Sequence, residues 1–520
     1  MFFNRKRNKK KEEVEYLSKN IDKNINRLKE KFKDCSDLVT REFKLSKTHT
    51  RIFIFYIDGI VDKQVLQDNV LSNILINIRD CHDPVKIKEK CLIDTIKDYD
   101  LPLGEIGEVE TIEDCVKKIV EGNTILFIDS TDLALCLSTI KPPGRTITQP
   151  VTESNIRGPF EGFTENLRAN TSLIRKRLKS NNLKMENINA GKISRTNITI
   201  CYLKHIVDDN LVKEVKKRLD KIEIDTIIDS GYIEHLIEDS PLSVFPQMVH
   251  TERPDTCTAA LSEGRVVLLV DGSPFALIVP GVFIDFLTAP EDYYSKFYIA
   301  TFVRMLRYTA LFTSLITPGF YIALSTFHRA MIPTTLLIRI SAAHAEVPFS
   351  ATIEVLLMEM TFELLREAGL RLQKPIGSAV SIVGALVIGQ GAVKAGLVSQ
   401  EIVIIVALTG ISSFAIPVYS MEISIRLLRF ALIILSSMLG ILGLVTGLMI
   451  IFIHLVSLRS FGVPYLSPLA PMNIRDWQDV FYKVPIWANK KRPTFINPKS
   501  KRKQKGNNMP KKTNNSINKV

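Results

Sequence analysis

Phe430-Ala-Leu-Ile-Ile-Leu-Ser-Ser-Met-Leu-Gly-Ile-Leu-Gly-Leu-Val-Thr-Gly-Leu-Met-Ile-Ile-Phe-Ile-His-Leu-Val-Ser-Leu458 is a run of 29 residues without one Asp, Glu, Lys or Arg. An uncharged stretch of about 18 residues or more is long enough to cross a hydrocarbon core of about 30 Å as a helix. Three more such runs lie upstream: Tyr308–Phe327, Ile376–Val393 and Ile402–Met421. The second half of the chain therefore reads as an α-helical multi-pass membrane domain over 296–460. Its expected spans are 308–327, 376–397, 402–421 and 430–458. Pro318 and Pro417 predict kinks or breaks in two of them. Between the first two spans, 333–347 and 350–372 read as shorter helices. The latter is amphipathic, with Glu359, Glu363 and Glu367 four residues apart and with Glu363–Arg366 and Glu367–Arg371 at pairing distance along one helix.

The first half has a different solvent. Arg51-Ile-Phe-Ile-Phe-Tyr56 and Asn197-Ile-Thr-Ile-Cys-Tyr202 are β-rich runs separated by amphipathic Lys/Glu stretches, the pattern of a soluble α/β half. It repeats itself. Tyr56-Ile-Asp-Gly-Ile-Val-Asp62 returns as Tyr202-Leu-Lys-His-Ile-Val-Asp208, and Glu121-Gly-Asn-Thr-Ile-Leu-Phe-Ile-Asp129 returns as Glu263-Gly-Arg-Val-Val-Leu-Leu-Val-Asp271. Two echoes at nearly one offset predict two related subdomains, 51–145 and 197–295, joined by a helical connector over 146–196. Each subdomain should hold a strand, a helical middle and a hairpin, with Asp271-Gly272-Ser273 as a turn.

Charge is segregated. The 520 residues are 46% hydrophobic and 24% charged, with a net charge of +13 and a mean hydropathy of +0.11. Residues 1–11 and 489–520 hold 17 basic side chains and no acid, which leaves the rest of the chain at −4. A broad basic nucleic-acid surface is disfavoured. The expected organisation is a basic tail and lead-in helix over 1–50, a membrane-proximal segment over 461–488, and a disordered basic tail over 489–520 whose lysines can meet anionic lipid headgroups. The positive-inside rule places both tails in the cytoplasm and calls for an even number of spans. No signal peptide is expected at the N-terminus. Cys35, Cys81, Cys91, Cys115, Cys136, Cys201 and Cys257 form no C-x-x-C and read as free thiols in a reducing compartment.

Catalytic and cofactor signatures do not appear. The eight histidines are never closer than fifteen residues, and there is no Walker A, G-x-S-x-G or EF-hand motif. Asp58, Asp62, Asp129, Asp208 and Asp271 read as turn and helix-cap residues. No cofactor, metal or enzymatic activity is expected. Ionisable residues at membrane depth are functional candidates by default. These are Glu363, Lys394, Glu401, Glu422 and Arg426, with Glu422–Arg426 spaced to pair; together with the polar Gln390 they are the expected pore or gating positions. Ser381, Ala385, Gly389, Gly440, Gly443 and Gly447 form small-residue stripes suited to close helix packing in a bundle or oligomer.

Several long motifs together resemble one family, over about residues 37–488. In the first half they are Arg157-Gly-Pro-Phe-Glu-Gly-Phe-Thr-Glu-Asn-Leu167, Thr251-Glu-Arg-Pro-Asp255 and Pro280-Gly-Val-Phe-Ile-Asp-Phe-Leu-Thr-Ala-Pro-Glu-Asp-Tyr-Tyr294. In the second they are Glu367-Ala-Gly-Leu-Arg-Leu372, Pro375-Ile-Gly-Ser-Ala-Val-Ser-Ile-Val-Gly-Ala-Leu-Val-Ile-Gly-Gln390 and Arg459-Ser-Phe-Gly-Val-Pro-Tyr-Leu466. They resemble the A subunits of bacterial spore germination receptors, the GerA family. The resemblance implies a multi-pass protein of the spore inner membrane that works with a transporter-like B subunit and a lipoprotein C subunit. It also implies a homo-oligomeric, nutrient-gated ion channel. The alternatives are a non-conducting scaffold or signal-transducing subunit, and a protein of the sister stage V sporulation AF branch. A secondary transporter would need inverted repeats in the membrane half, and the one internal repeat lies in the soluble half.

Overall fold

The computed structural model describes residues 15–44, 50–72, 106–140, 149–150, 152–153, 155–371, 389–504, 506 and 508–510. Two five-stranded antiparallel sheets form the first half. The first contains β1 (Leu38–Lys44), β2 (Arg51–Ile57), β3 (Ile106–Val109), β4 (Thr124–Ile128) and β5 (Ala134–Leu137), in the spatial order β1-β2-β4-β5-β3. The second contains β6 (Leu183–Ala190), β7 (Thr196–Leu203), β8 (Val249–Thr251), β9 (Val266–Val270) and β10 (Ala276–Val279), in the order β6-β7-β9-β10-β8. The orders match position by position, so the sequence echo is a structural duplication.

Alternation along the central strands explains why both faces are covered. Phe53, Phe55 and Ile57 face α1 (Ile21–Lys31) and α2 (Ile112–Glu121), while Ile52, Ile54 and Tyr56 face a second cluster with Val61, Leu66 and Val70. In the second sheet Ile198, Ile200 and Tyr202 pack with α4 (Asp209–Leu219) and α5 (Ser230–Ile237). The opposite face, with Cys201 and Leu203, meets α3 (Leu167–Arg177) and α6 (Pro254–Glu263). Equivalent helices end alike. α2 stops at Gly122 (φ +101°) and α6 at Gly264 (φ +106°), left-handed positions that glycine takes without strain. Asp62 and Asp208 cap helix starts, as their position after the repeated Ile-Val predicts.

Two expected boundaries move. β1 lies in the segment expected to be tail and lead-in helix, and it pairs along β2 through the whole strand. The connector over 146–196 contributes α3 and β6 to the second unit, which therefore starts well before 197. The sequence repeat had hidden this, because polar residues on both faces of β6 (Glu186 on one, Asn187 and Asn189 on the other) interrupt its apolar pattern. The segment from Cys35 to Asp37 docks on that unit. Ser36 N–H donates to Met185 O at 2.8 Å, and buried Arg175 grips Asp37 at 2.8 Å.

The second half is helical: α7 (Phe297–Thr326), α8 (Thr334–Ala345), α9 (Ala351–Arg371), α10 (Gln400–Phe414), α11 (Tyr419–Leu439) and α12 (Ile441–Ser457). Among the described residues only α7 is long and apolar enough to cross a membrane, with α10 and α12 as shorter apolar helices. Two of the four expected spans, 402–421 and 430–458, are not single continuous helices. The stretch 402–421 breaks at Phe414, three residues before Pro417, because proline cannot donate to the helix ladder. The stretch 430–458 is two helices folded into a hairpin at Gly440 (φ +64°, ψ −139°). Hydropathy alone does not register that turn, since glycine leaves the run uncharged. Most of the span at 376–397, including Ser381 and Ala385, lies outside the described residues.

No boundary in the packing separates the halves. One continuous cluster joins Leu203, Leu261 and Leu269 of the second sheet unit to Leu311, Leu315, Met421, Ile425 and Leu432 of the helices. The basic C-terminus is also corrected in part. Residues 489–503 are docked on the second unit, with Lys499 N–H donating to Ile206 O at 2.8 Å, Lys499 Nζ on Asp209 at 2.5 Å and Ile496 buried. Asp208, Asp209 and Glu263 supply the acidic surface that receives it.

Candidate functional site in the helical half

α9 and α11 face one another with complementary charge at three- and four-residue spacing. Arg366 on α9 pairs with Glu422 on α11, and its other nitrogen donates to Ser413 Oγ at 2.6 Å. One turn along, Glu363 accepts from Arg426 at 2.5 Å and from Arg429 at 3.1 Å. A further turn along, Arg429 lies 3.2 Å from Glu359, and both of these side chains are fully buried. Three acids meet three arginines in a ladder. The pairings differ from those expected along single helices. Glu363 and Glu422 each take an arginine across the helix interface instead of Arg366 and Arg426 on their own helix, because the packed faces exclude the water that screens a solvent-side pair. Glu367–Arg371, on the exposed side, forms along its helix at 2.6 Å as its spacing predicts.

The ladder is pinned at both ends. The Arg366 guanidinium lies 5.3 and 4.4 Å from the ring centroids of Phe362 and Phe414, two edge-to-face rings that each make a cation–π contact with it. Near the start of α9, buried Glu354 accepts from Ser399 N–H at 2.7 Å and contacts His344 Nδ1 of α8 at 2.9 Å. The polar inventory of the ladder is not closed. Both Glu359 carboxylate oxygens, and Nε of Arg366, Arg426 and Arg429, are buried without a hydrogen-bond partner. Charges held in this way are costly unless paired, so the α9–α11 contact is sensitive to any shift of one helix along the other.

The expected site residues divide. Glu363, Glu422 and Arg426 belong to the ladder. Gln390 and Lys394 sit exposed on the helical stretch 389–394, and Glu401 is half-buried at the start of α10; none of the three touches the ladder. Glu354, Glu359, Arg366 and Arg429 were missing from the expected set. The readable signal for three of them was the Glu359/Glu363/Arg366 row opposite Glu422/Arg426/Arg429, two charge patterns that fit when antiparallel partners are considered together. The glycines pack within this chain. A methyl on Gly443 would meet Leu435 O at 2.0 Å, one on Gly447 would meet Leu432 Cδ2 at 2.5 Å, and one on Gly389 would meet Val403 at 3.3 Å. Gly319 and Gly410, outside the expected stripes, make equally close approaches to Ser436 and Phe362.

A second constellation gathers the motifs of the first half. Buried Arg253 binds Asp255 at 2.8 Å and donates to Pro159 O at 3.1 Å, while Tyr294 O–H donates to Asp255 at 2.5 Å. Thr251 donates to Glu153 at 2.7 Å, and burial pushes that carboxyl up to about 7. Next to this knot, Asp292 pairs with Arg304 and Arg307 at the base of α7, at 3.0 and 2.8 Å. Tyr465, fully buried, donates to Pro246 O at 2.7 Å, and Phe283 N–H donates to Tyr465 O at 2.9 Å. The stretches around 157, 251, 280 and 459 are thus one junction between the second sheet unit and the helices. Among the described residues no group of three or more His, Cys, Asp or Glu is placed to hold a metal ion.

Comparison with known proteins returns one family. The model described as Bacillus/Clostridium GerA spore germination protein matches residues 26–495. Spore germination protein KA of Bacillus subtilis is 45% identical over 497 residues, which cover 95% of this chain and 90% of that protein. The uncharacterized membrane protein YfkQ of the same organism is 42% identical over 477 residues, covering 92% of this chain and 91% of that one. Among solved structures, the N-terminal domain of the A subunit of the Bacillus megaterium spore germinant receptor GerK3 is 31% identical, with a TM-score of 0.41, covering 52% of this chain and 98% of that chain.

Proposed function

Since this chain belongs to the GerA family of Bacillus/Clostridium spore germination proteins, we propose that it is the A subunit of a germinant receptor and forms the conducting part of an oligomeric assembly in the spore inner membrane. In this reading the helical half lies in the bilayer, the sheet units and both termini face the cytoplasm, and transporter-like B and lipoprotein C subunits complete the receptor. The observation that carries it is the arrangement of polarity in the helices. Phe302, Leu364, Ile411, Met438 and Ile450 are each more than 60% exposed around the helical half, whereas Glu359 and Arg429 are sealed inside it. Apolar outside and charged inside suits a lipid-embedded body with a functional polar interior. The α9–α11 ladder, with its unpartnered buried atoms, is the proposed gating element. Partner movement that displaces α9 exchanges one set of pairings for another.

Reconstitution of the purified chain in planar bilayers, alone and with its B and C subunits, tests this reading. Partner-gated current that is altered by Glu363→Gln supports conduction under control of the ladder. Gln390→Leu and Glu401→Gln report whether the 389–401 segment lines the pathway. Silence from a fully assembled, correctly folded complex refutes conduction and favours a scaffold.

A further inference from the structure

Beyond α12 the chain turns back and encloses a cavity of about 330 Å³ outside the helices. Its walls come from the α6–β9 junction (Glu263, Arg265), the segment leading to α7 (Asp285, Tyr293), the 467–480 loop and the docked C-terminal strap. Six basic and four acidic side chains line it, and the acids are mostly committed. Asp285 binds Arg265, Asp479 takes Arg304 and Lys483, and Asp476 accepts from Thr494 N–H at 2.9 Å and from Asn473 Nδ2 at 3.1 Å. Arg265 is held by Asp285 and Arg492 by the carbonyls of Ser262 and Ser500, but the other four cations are not committed in this way. Arg475, Lys490 and Lys491 have no side-chain partner among the described residues, and Lys503 approaches only Glu263, at 3.9 Å. Arg265, 5% exposed, has a buried Nε without a hydrogen-bond partner. Burial pushes the Glu263 carboxyl up, which weakens the one loosely held negative charge in the cavity.

Unpaired, exposed lysines and an arginine at the rim of a polar cavity, with buried Arg265 in its wall, are the chemistry of a multivalent oxyanion. The volume is at the lower end of small-molecule pockets, about 300–1,000 Å³, and exceeds what a bare inorganic anion fills. Met472, Ile474 and Ile486 stand 68%, 67% and 72% exposed in the same segment, and Phe297 and Tyr298 open α7 half-exposed. Apolar and aromatic side chains next to a cationic cavity suit a site at a membrane surface. We propose that this cavity binds a phosphate-bearing small group of glycerol phosphate size, supplied by a phospholipid headgroup or by a soluble phosphate ester. Closure of the cavity then depends on the docked strap, so ligand and strap stabilise one another. This inference is independent of whether the chain conducts ions.

The test uses the full-length protein in phosphate-free buffer. sn-Glycerol 3-phosphate is titrated by calorimetry, and retained phosphatidylglycerol is counted against phosphatidylcholine by native mass spectrometry. Lys490→Gln with Lys491→Gln removes two exposed, unpartnered cations and leaves the fold alone; affinity should fall about thirtyfold. Lys192→Gln, whose exposed ammonium pairs with Glu223 away from both the cavity and the strap, should leave it unchanged. Binding of the ester alone identifies a soluble ligand, and selective retention of phosphatidylglycerol identifies a lipid. Binding of neither, or equal weakening by Lys192→Gln, overturns the proposal.

Discussion

Replacing Arg429 with Gln removes the cation from the most deeply buried step of the α9–α11 ladder. Arg429 serves two carboxylates, Glu359 at 3.2 Å and Glu363 at 3.1 Å, and Glu363 keeps Arg426 at 2.5 Å after the change. Glu359 keeps nothing: it is 0% exposed, and Arg429 is its one ion pair among the described residues. Breaking one side of a buried pair costs about 3–5 kcal/mol, chiefly the penalty of the stranded charge. Glu359→Gln strands less, since Arg429 retains Glu363, and should cost about 1–2 kcal/mol. The double variant removes both charges and should return to within about 1 kcal/mol of the parent. The coupling energy is then about 3 kcal/mol or more, well above the scatter of additive sites. Reversible unfolding of the full-length protein in mixed micelles, titrated with SDS and followed by tryptophan fluorescence, measures all four species. Refutation is simple to recognise: Arg429→Gln costs less than about 1 kcal/mol, or the double variant costs the sum of the singles.

Gly440→Ala places a side chain on a backbone that glycine alone adopts easily, with Phe327 Cβ 2.9 Å from the new methyl. It should lose about 1–3 kcal/mol, and Gly443→Ala more, both read as lowered melting temperature. Arg175→Met strands buried Asp37 at the contact between the two sheet units. A loss of about 3–5 kcal/mol at this contact should release the first unit to limited proteolysis while the second stays resistant. Glu153 holds its proton up to about 7 in the folded chain against an ordinary 4.5, so its contribution is complete below about pH 4.5 and is lost as pH rises through 7. The loss is on the order of 3 kcal/mol. Glu153→Gln should therefore melt higher than the parent at about pH 8 and show little advantage at about pH 5.

The sequence discloses the duplicated sheets because each strand carries its own alternation and each equivalent turn its own glycine or capping aspartate. β6 escaped because Glu186 on one face and Asn187 and Asn189 on the other mute that alternation. In the helical half, hydropathy located apolar mass but not where it folds. Gly440 makes a hairpin without adding a charge, and Pro417 marks a break that reads equally as a kink. Half of the ladder was nameable from charge at membrane depth. The rest depends on which helix faces which: Arg366 chooses Glu422 over Glu363 on its own helix only once α9 and α11 are packed. The docked strap was illegible for the same reason, since Asp208, Asp209 and Glu263 converge only in the folded second unit.

The continuous core from β9 through α7 and α11 has a mechanical consequence. A joint bends where packing is thin, and this junction is instead filled by Leu269, Leu311, Leu315, Ile425 and the buried ring of Tyr465. The second sheet unit and the helices therefore turn together, as a handle turns with its shaft. A pull on the sheet unit arrives at the far end of the helices as tilt, without being absorbed on the way. The compliant element of this protein is consequently the ladder itself, where the restraint is a set of interchangeable charge contacts instead of interlocked apolar side chains.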